Sequence, residues 1–206
     1  MHIVPASSSS PRPPERAALA VAAANAAQAL SEMSGRVIGA RFTRLTHVPV
    51  AQLALVGGDP EQQIVGVYLG VEGDNTSHVL LGLSEATAFR LADLLLGGAG
   101  ARNELDAMAV SALAEIGNVV GTCFLNVLAD GARLTLAPTL PVVLREMRGA
   151  ILDSLGFGLV DLEEASLTVV ETSFTCDGEA IDVAVFLLGS STLSELVSLA
   201  SSRKRA

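Results

Sequence analysis

The chain has 206 residues, half of them hydrophobic, with few aromatics, no Trp and a formal net charge of −9. That length holds one domain or two small ones, with room for a sizeable core. An acidic chain without a basic stripe argues against nucleic acid and against an anionic membrane surface, because both would repel it. The only basic cluster, Arg203, Lys204 and Arg205, reads as a solvated tail. Cys123 and Cys176 lack zinc or disulfide-framework spacing, and His2, His47 and His78 are scattered. No metal site is therefore expected, and unpaired thiols suit a reducing cytoplasm.

Residues 1–14 are rich in Ser and Pro and read as a disordered tail. The Ala-rich run at 17–24 has the look of a secretory leader. It is only weakly hydrophobic, though, and it follows prolines and continues through Asn25 and Gln28. It reads instead as a helix over about 15–33, stopped at Ser34 and Gly35. No apolar run is expected to reach bilayer-spanning length.

Residues 36–56 carry β-branched side chains and a proline, which predicts two short strands with a break near Pro49. The GGDP stretch at 57–60 is a turn. Strands follow over 63–72 and 78–83, joined as a hairpin by Gly73, Asp74 and Asn75. Ser84 is placed to cap a helix that runs to Leu96 and ends in a glycine-rich stretch. The second half repeats this order. It has a helix over 105–130 followed by Gly131, then an irregular segment through Pro138 and Pro141. Residues 142–159 stay open between strand and short helix. Strands over 166–176 and 180–188 are joined by Asp177 and Gly178, and a closing helix covers 190–199.

The stretches starting at Val67 and at Ser173 both read strand, Gly/Asp turn, strand, Ser/Thr cap, Leu-rich helix. A repeat at a spacing of about 100 residues suggests duplication. The predicted fold is α+β, with one pseudo-symmetric domain over 15–200 made of duplicated halves, 15–100 and 101–200. Their strands form one mainly antiparallel sheet, long helices cover one face of it, and 201–206 is a tail.

At about 100° per residue, the long helix puts Leu113, Ile116, Val120, Phe124 and Val127 on one side, with Cys123 at its edge. Ser111, Glu115, Asn118 and Thr122 fall nearly opposite, and Asn126 extends that line. Gly117 and Gly121 lie between the faces. Each costs about 1 kcal/mol relative to Ala inside a helix, which predicts close approach by another backbone or a partner. Polar residues opposite an apolar stripe are, on helix geometry alone, a solvated face. Cys123 reads as a core residue, and Asn126 as a surface polar.

Ser111, three residues, Glu115, two residues, Asn118 and then, after the 22 residues 119–140, Pro141 is a fixed pattern. It resembles the motif of the CheC, CheX and FliY phosphatases of chemotaxis, and the surrounding SALAEIGNVVGTCFLNVLAD is similar to a CheC motif helix throughout. The resemblance implies hydrolysis of the phospho-aspartate of CheY or a CheY-like receiver. Asn118 would orient the attacking water, Glu115 would pair with the receiver's lysine, Ser111 would support the interface, and Pro141 would fix the adjoining loop. The chemistry is compatible, since an amide does not titrate near neutrality but can hold a water in line with a phosphoryl group, and phosphoryl transfer depends mainly on positioning. No cofactor is expected in this chain, because Mg²⁺ would sit on the regulator.

The family's second copy of the motif is missing. Asn118 falls on Ala20, Glu115 on Ala17 and Ser111 on Pro13, so one site per chain is expected. The additional switch domain of FliY is not expected either. The alternative reading is a non-catalytic module that binds the receptor deamidase CheD or sequesters phosphorylated CheY. Either role implies a cytoplasmic protein with neither nucleic-acid nor membrane partners.

Overall fold

The structure, a computed structural model, describes residues 13–49, 58–74, 77–98, 102–157 and 166–189. The expected tails at 1–12 and 201–206, any strand within 50–57 and the closing helix at 190–199 lie outside them. Helix α1, Pro13–Ser34, leads into strand β1, Ile38–Pro49. Strands β2, Gln63–Gly73, and β3, Ser77–Leu83, form a hairpin followed by α2, Glu85–Leu96. The second half begins with α3, Ala107–Ala132, and continues through β4, Leu136–Pro138, β5, Val142–Met147, and α4, Arg148–Phe157. It closes on the hairpin β6, Ser166–Cys176, and β7, Glu179–Gly189.

The sheet order is β1-β6-β7-β3-β2-β4, with β5 also paired to β2. Every ladder is antiparallel. The order reads the same from either end when the halves are exchanged, so the pseudo-two-fold axis passes between β7 and β3. Each half keeps its hairpin but gives its remaining strand to the other. Strand β1 of the first half pairs with β6, and β4 and β5 of the second pair with β2. The expected duplicated α+β architecture is therefore present.

Local chemistry explains the element ends. The Ser84 side chain accepts a hydrogen bond from the Thr87 N–H and caps α2, and Gly97 closes the helix at φ 70°. Asp177 and Gly178 have φ of 53° and 83°, the pattern of a tight hairpin turn. Gly73, at φ 124°, faces the Thr135 carbonyl so closely that no side chain fits there.

The break expected near Pro49 is where β1 ends, and the strand carries a bulge between Phe42 and Arg44 that the sequence did not announce. Two sequence expectations change. Gly131 does not end α3. The helix runs to Ala132, and Arg133 takes the left-handed conformation at φ 60°, its N–H donating to the Ala129 carbonyl. The segment expected to be irregular includes β4, which is registered on β2 through Val71 and Pro138.

The core lies between the sheet and the layer of α1, α2 and α3, with Leu19, Leu69, Leu81, Leu91, Leu113, Ile116 and Phe124 almost fully buried. The opposite face of the sheet is not bare. Helix α4 sets Ile151 and Leu152 against Ile64, Leu80, Val169 and Phe186. The expectation that no apolar run reaches bilayer length also needs correcting, because α3 qualifies by length and composition, with mean hydropathy 1.6. Half of that stretch is buried inside the fold, so its apolarity serves the core.

Candidate active site

Helix α3 is fixed at both ends. At its start the Asp106 side chain accepts from the Ala109 N–H at 2.8 Å and from Arg102 Nη1 at 2.7 Å. The Ala109 N–H, followed by Arg102, holds the Asp106 carboxyl below the usual carboxylate range. Arg102 Nε also donates to buried Asp93 at 3.1 Å, tying the start of α3 to α2. At the far end Asp74 clasps Thr135. The Asp74 N–H donates to the Thr135 carbonyl at 3.0 Å, and the Thr135 N–H donates to Asp74 Oδ2 at 2.8 Å.

The helix bears on the sheet through its glycines. A methyl group at Gly117 would overlap Val67, and one at Gly121 would come to 3.3 Å from Leu69 Cδ1. The close approach expected at these glycines is thus to the chain's own sheet, specifically to side chains of β2. Leu113, Ile116, Val120 and Phe124 are buried as expected, and Val127 is partly so. Cys123 is half-buried, and burial pushes its thiol pKa up, which makes it a poor nucleophile.

The polar stripe faces outward. Ser111, Glu115 and Asn126 are exposed, whereas Asn118 and Thr122 are intermediate. Among the described residues, no hydrogen bond or ion pair engages the side chains of Ser111, Glu115 or Asn118. Asn118 lies about 60–100° round the helix from Gly121 and Gly117, so it sits on the shoulder between sheet and solvent. Glu115 and Asn118 are one turn apart and present a carboxylate and an amide on one accessible surface.

Pro141 directly precedes β5 and is half-exposed. Its loop is held on β2, where the Thr139 N–H donates to the Gly70 carbonyl at 2.8 Å and Thr139 Oγ1 accepts from the Gly70 N–H at 2.9 Å. Strand β2 also carries Val67 and Leu69, on which α3 rests, so helix and proline loop share one support. Sequence reasoning passed over Leu140, which is 88% exposed between Thr139 and Pro141. A leucine in a Pro-flanked connection was the available signal. Met108, near the start of α3, is also exposed. No group of three or more His, Cys, Asp or Glu side chains converges among the described residues.

The two long helices correspond through their ends, because Gly35 after α1 and Arg133 after α3 both have positive φ. Aligning them there puts Asn118 over Ala20 and Glu115 over Ala17, and both alanines are exposed. The buried positions follow the same alignment, with Ala22, Ala26 and Leu30 answering Val120, Phe124 and Leu128. Helix α1 keeps the packing face of α3 and lacks its polar stripe.

No protein-family model matches the chain. It is 27% identical over 158 residues, 74% of each chain, to the CheY-P phosphatase CheC of Bacillus subtilis (strain 168). FliY from Thermotoga maritima shares the fold with a TM-score of 0.74 at 21% identity, covering 95% of this chain and 99% of that one. The FliM middle domain of Vibrio alginolyticus shares it with a TM-score of 0.63 at 12% identity, covering 91% and 99%. In sequence the chain is similar to CheC, and its fold is the one shared by FliY and CheX.

Proposed function

We propose that the chain hydrolyses the phospho-aspartate of CheY or a CheY-like receiver in chemotaxis signalling, at a single site on α3. The observation that carries this reading is the spaced set Ser111, Glu115 and Asn118, presented without internal partners on a helix pinned at both ends. Similarity to a protein described as a CheY-P phosphatase supports it. In this reading Asn118 holds a water in line with the phosphorus and contributes through positioning rather than proton transfer. Glu115 meets the receiver's lysine and fixes alignment. Ser111 supports the interface, and Pro141 fixes the loop beside it. Any Mg²⁺ is expected on the receiver, and the reaction is expected in the cytoplasm.

The test is loss of phosphate from a phosphorylated receiver with and without the chain. Asn118→Ala should slow the catalysed rate at least about tenfold, a barrier change of about 1.4 kcal/mol. An unchanged rate removes the assignment. The exposed alanines at 17 and 20, where a second motif would stand, favour one rival: a module that binds CheD or sequesters phosphorylated receiver. Tight binding to the phosphorylated receiver without faster phosphate loss selects that rival.

A further inference from the structure

A cleft lies away from the motif, on the face of the sheet that also carries α4. Its volume is about 430 Å³, within the range of small-molecule sites. Ile64, Val169, Ala184 and Phe186 supply apolar lining, with Gly82 beneath Phe186. Into this wall is set Arg148, the first residue of α4, only 7% exposed.

Arg148 is the unusual element. Its Nη1 donates to the Asp59 carbonyl at 3.2 Å and its Nη2 to Gln62 Oε1 at 2.9 Å. Both acceptors are neutral, and the nearest counter-charge, the Asp59 carboxylate, acts on the guanidinium from beyond ion-pair range. A guanidinium has five N–H donors, so these bonds leave three unused. Burying a cation with no carboxylate in contact with it is costly, and fixed polar groups of this kind concentrate where a ligand completes the charge balance. The other cation of the cleft, Arg44, is already matched: its Nη2 and Nε bond the two oxygens of Glu171 at 2.7 and 3.1 Å. Asp182 also borders the cleft but is exposed, where solvent and salt screen it.

From this geometry we infer that the cleft binds a small organic anion. A carboxylate or phosphate engages Arg148, and an apolar body lies over Ile64, Val169 and Phe186. The guanidinium fork suits either anion. The site is on the opposite face of the sheet from α3, so occupancy does not compete with docking at Asn118.

The test is calorimetry and protein NMR on the full chain with 4-phenylbutyrate and phenyl phosphate, using 4-phenylbutanol as the neutral control. Saturable binding of one or both anions, with shifts at Ile64, Val169 and Ala184, is expected, and the alcohol should bind at least about tenfold more weakly. Arg148→Gln should abolish the preference for the anion, and Arg148→Lys should keep part of it. Should Arg148→Gln fail to fold, Ala184→Leu fills the floor from another strand and should block binding without touching the guanidinium. The inference is overturned if neither anion binds saturably at millimolar concentration, if the alcohol binds as well, or if binding survives both Arg148→Lys and Ala184→Leu unchanged.

Discussion

At the scale of single residues, the fold leaves Glu115 and Asn118 accessible and unoccupied. Several other polar side chains are tied down: Arg44 to Glu171, Arg102 to Asp93 and Asp106, Thr139 to Gly70. Replacing Glu115 with Gln should therefore leave stability within about 0.5 kcal/mol of the parent, while raising KM for the phosphorylated receiver more than it lowers kcat. A large loss of stability on denaturant unfolding would show that Glu115 has a structural duty instead. Another titrating residue makes the opposite case. Tyr68 Oη lies 2.8 Å from His78 Nδ1, the two rings are stacked, and burial holds the imidazole pKa below its ordinary 6.5. The unfolded chain takes up the proton at the ordinary value and the folded chain only at lower pH. The contribution of His78 is thus fully present above pH 6.5 and is lost as pH falls from there toward the folded pKa. Denaturant midpoints measured between about pH 5 and pH 7.5 should fall on acidification across that window. His78→Phe should flatten that part of the slope, and an unaltered slope would assign it to other groups.

Among the elements, α3 shows most clearly what a one-dimensional reading captures. The helical period separated the buried stripe from the exposed one, and Ser84, Gly97 and Asp177–Gly178 announced their turns through local chemistry. What resisted was non-local. Gly117 and Gly121 carried no sign of what would approach them, because Val67 and Leu69 lie on a strand far away in sequence. Strand β4 looked irregular and β5 stayed open between strand and short helix, since their partner, β2, is in the other half. Arg133 adopts positive φ although Gly131 was the better local candidate, the helix continuing to the level where Asp74 clasps Thr135. Within the candidate site, the motif spacing was legible, whereas the exposure of Leu140, and elsewhere the burial of Arg148 against neutral acceptors, depend on neighbours no spacing reveals. The glycines make a paired prediction. Gly117→Ala should destabilise by about 1–3 kcal/mol, since the added methyl overlaps the β-branched Val67. Gly121→Ala should cost less than about 1 kcal/mol, because the nearest atom is the end of Leu69 and the helix gains propensity. Equal effects in thermal unfolding would mean that α3 does not sit on β2 as described.

For the whole molecule, the exchange of strands between halves decides how it can come apart. Neither hairpin is a complete sheet by itself: β6–β7 needs β1, and β2–β3 needs β4 and β5. Unfolding should accordingly be a single transition with coincident far-UV and near-UV signals. Fragments 13–100 and 101–206 should each lack stable tertiary structure alone and recover it when mixed; a cooperatively folded single fragment would contradict the interlocked arrangement. Helix α1 fits the same logic. Its buried Leu19, Ala22, Ala26 and Leu30 are needed by the shared core, while Ala17 and Ala20 are needed by nothing inside. Side chains on the outer face of that helix can change without threatening the fold.

The pairing of β1 also bears on the chain as it leaves the ribosome. Ile38 finds its ladder partner at Cys176, and Pro49 finds its own at Ser166, so β1 emerges long before the strand that covers it has been made. Throughout that interval Phe42, Leu45 and Val48 stand on an open edge, the kind of surface that trigger-type chaperones shield and that newly made chains use to stick to one another. The exposed period of β1 falls within synthesis, and its length is set by how slowly the message for residues 50–176 is read.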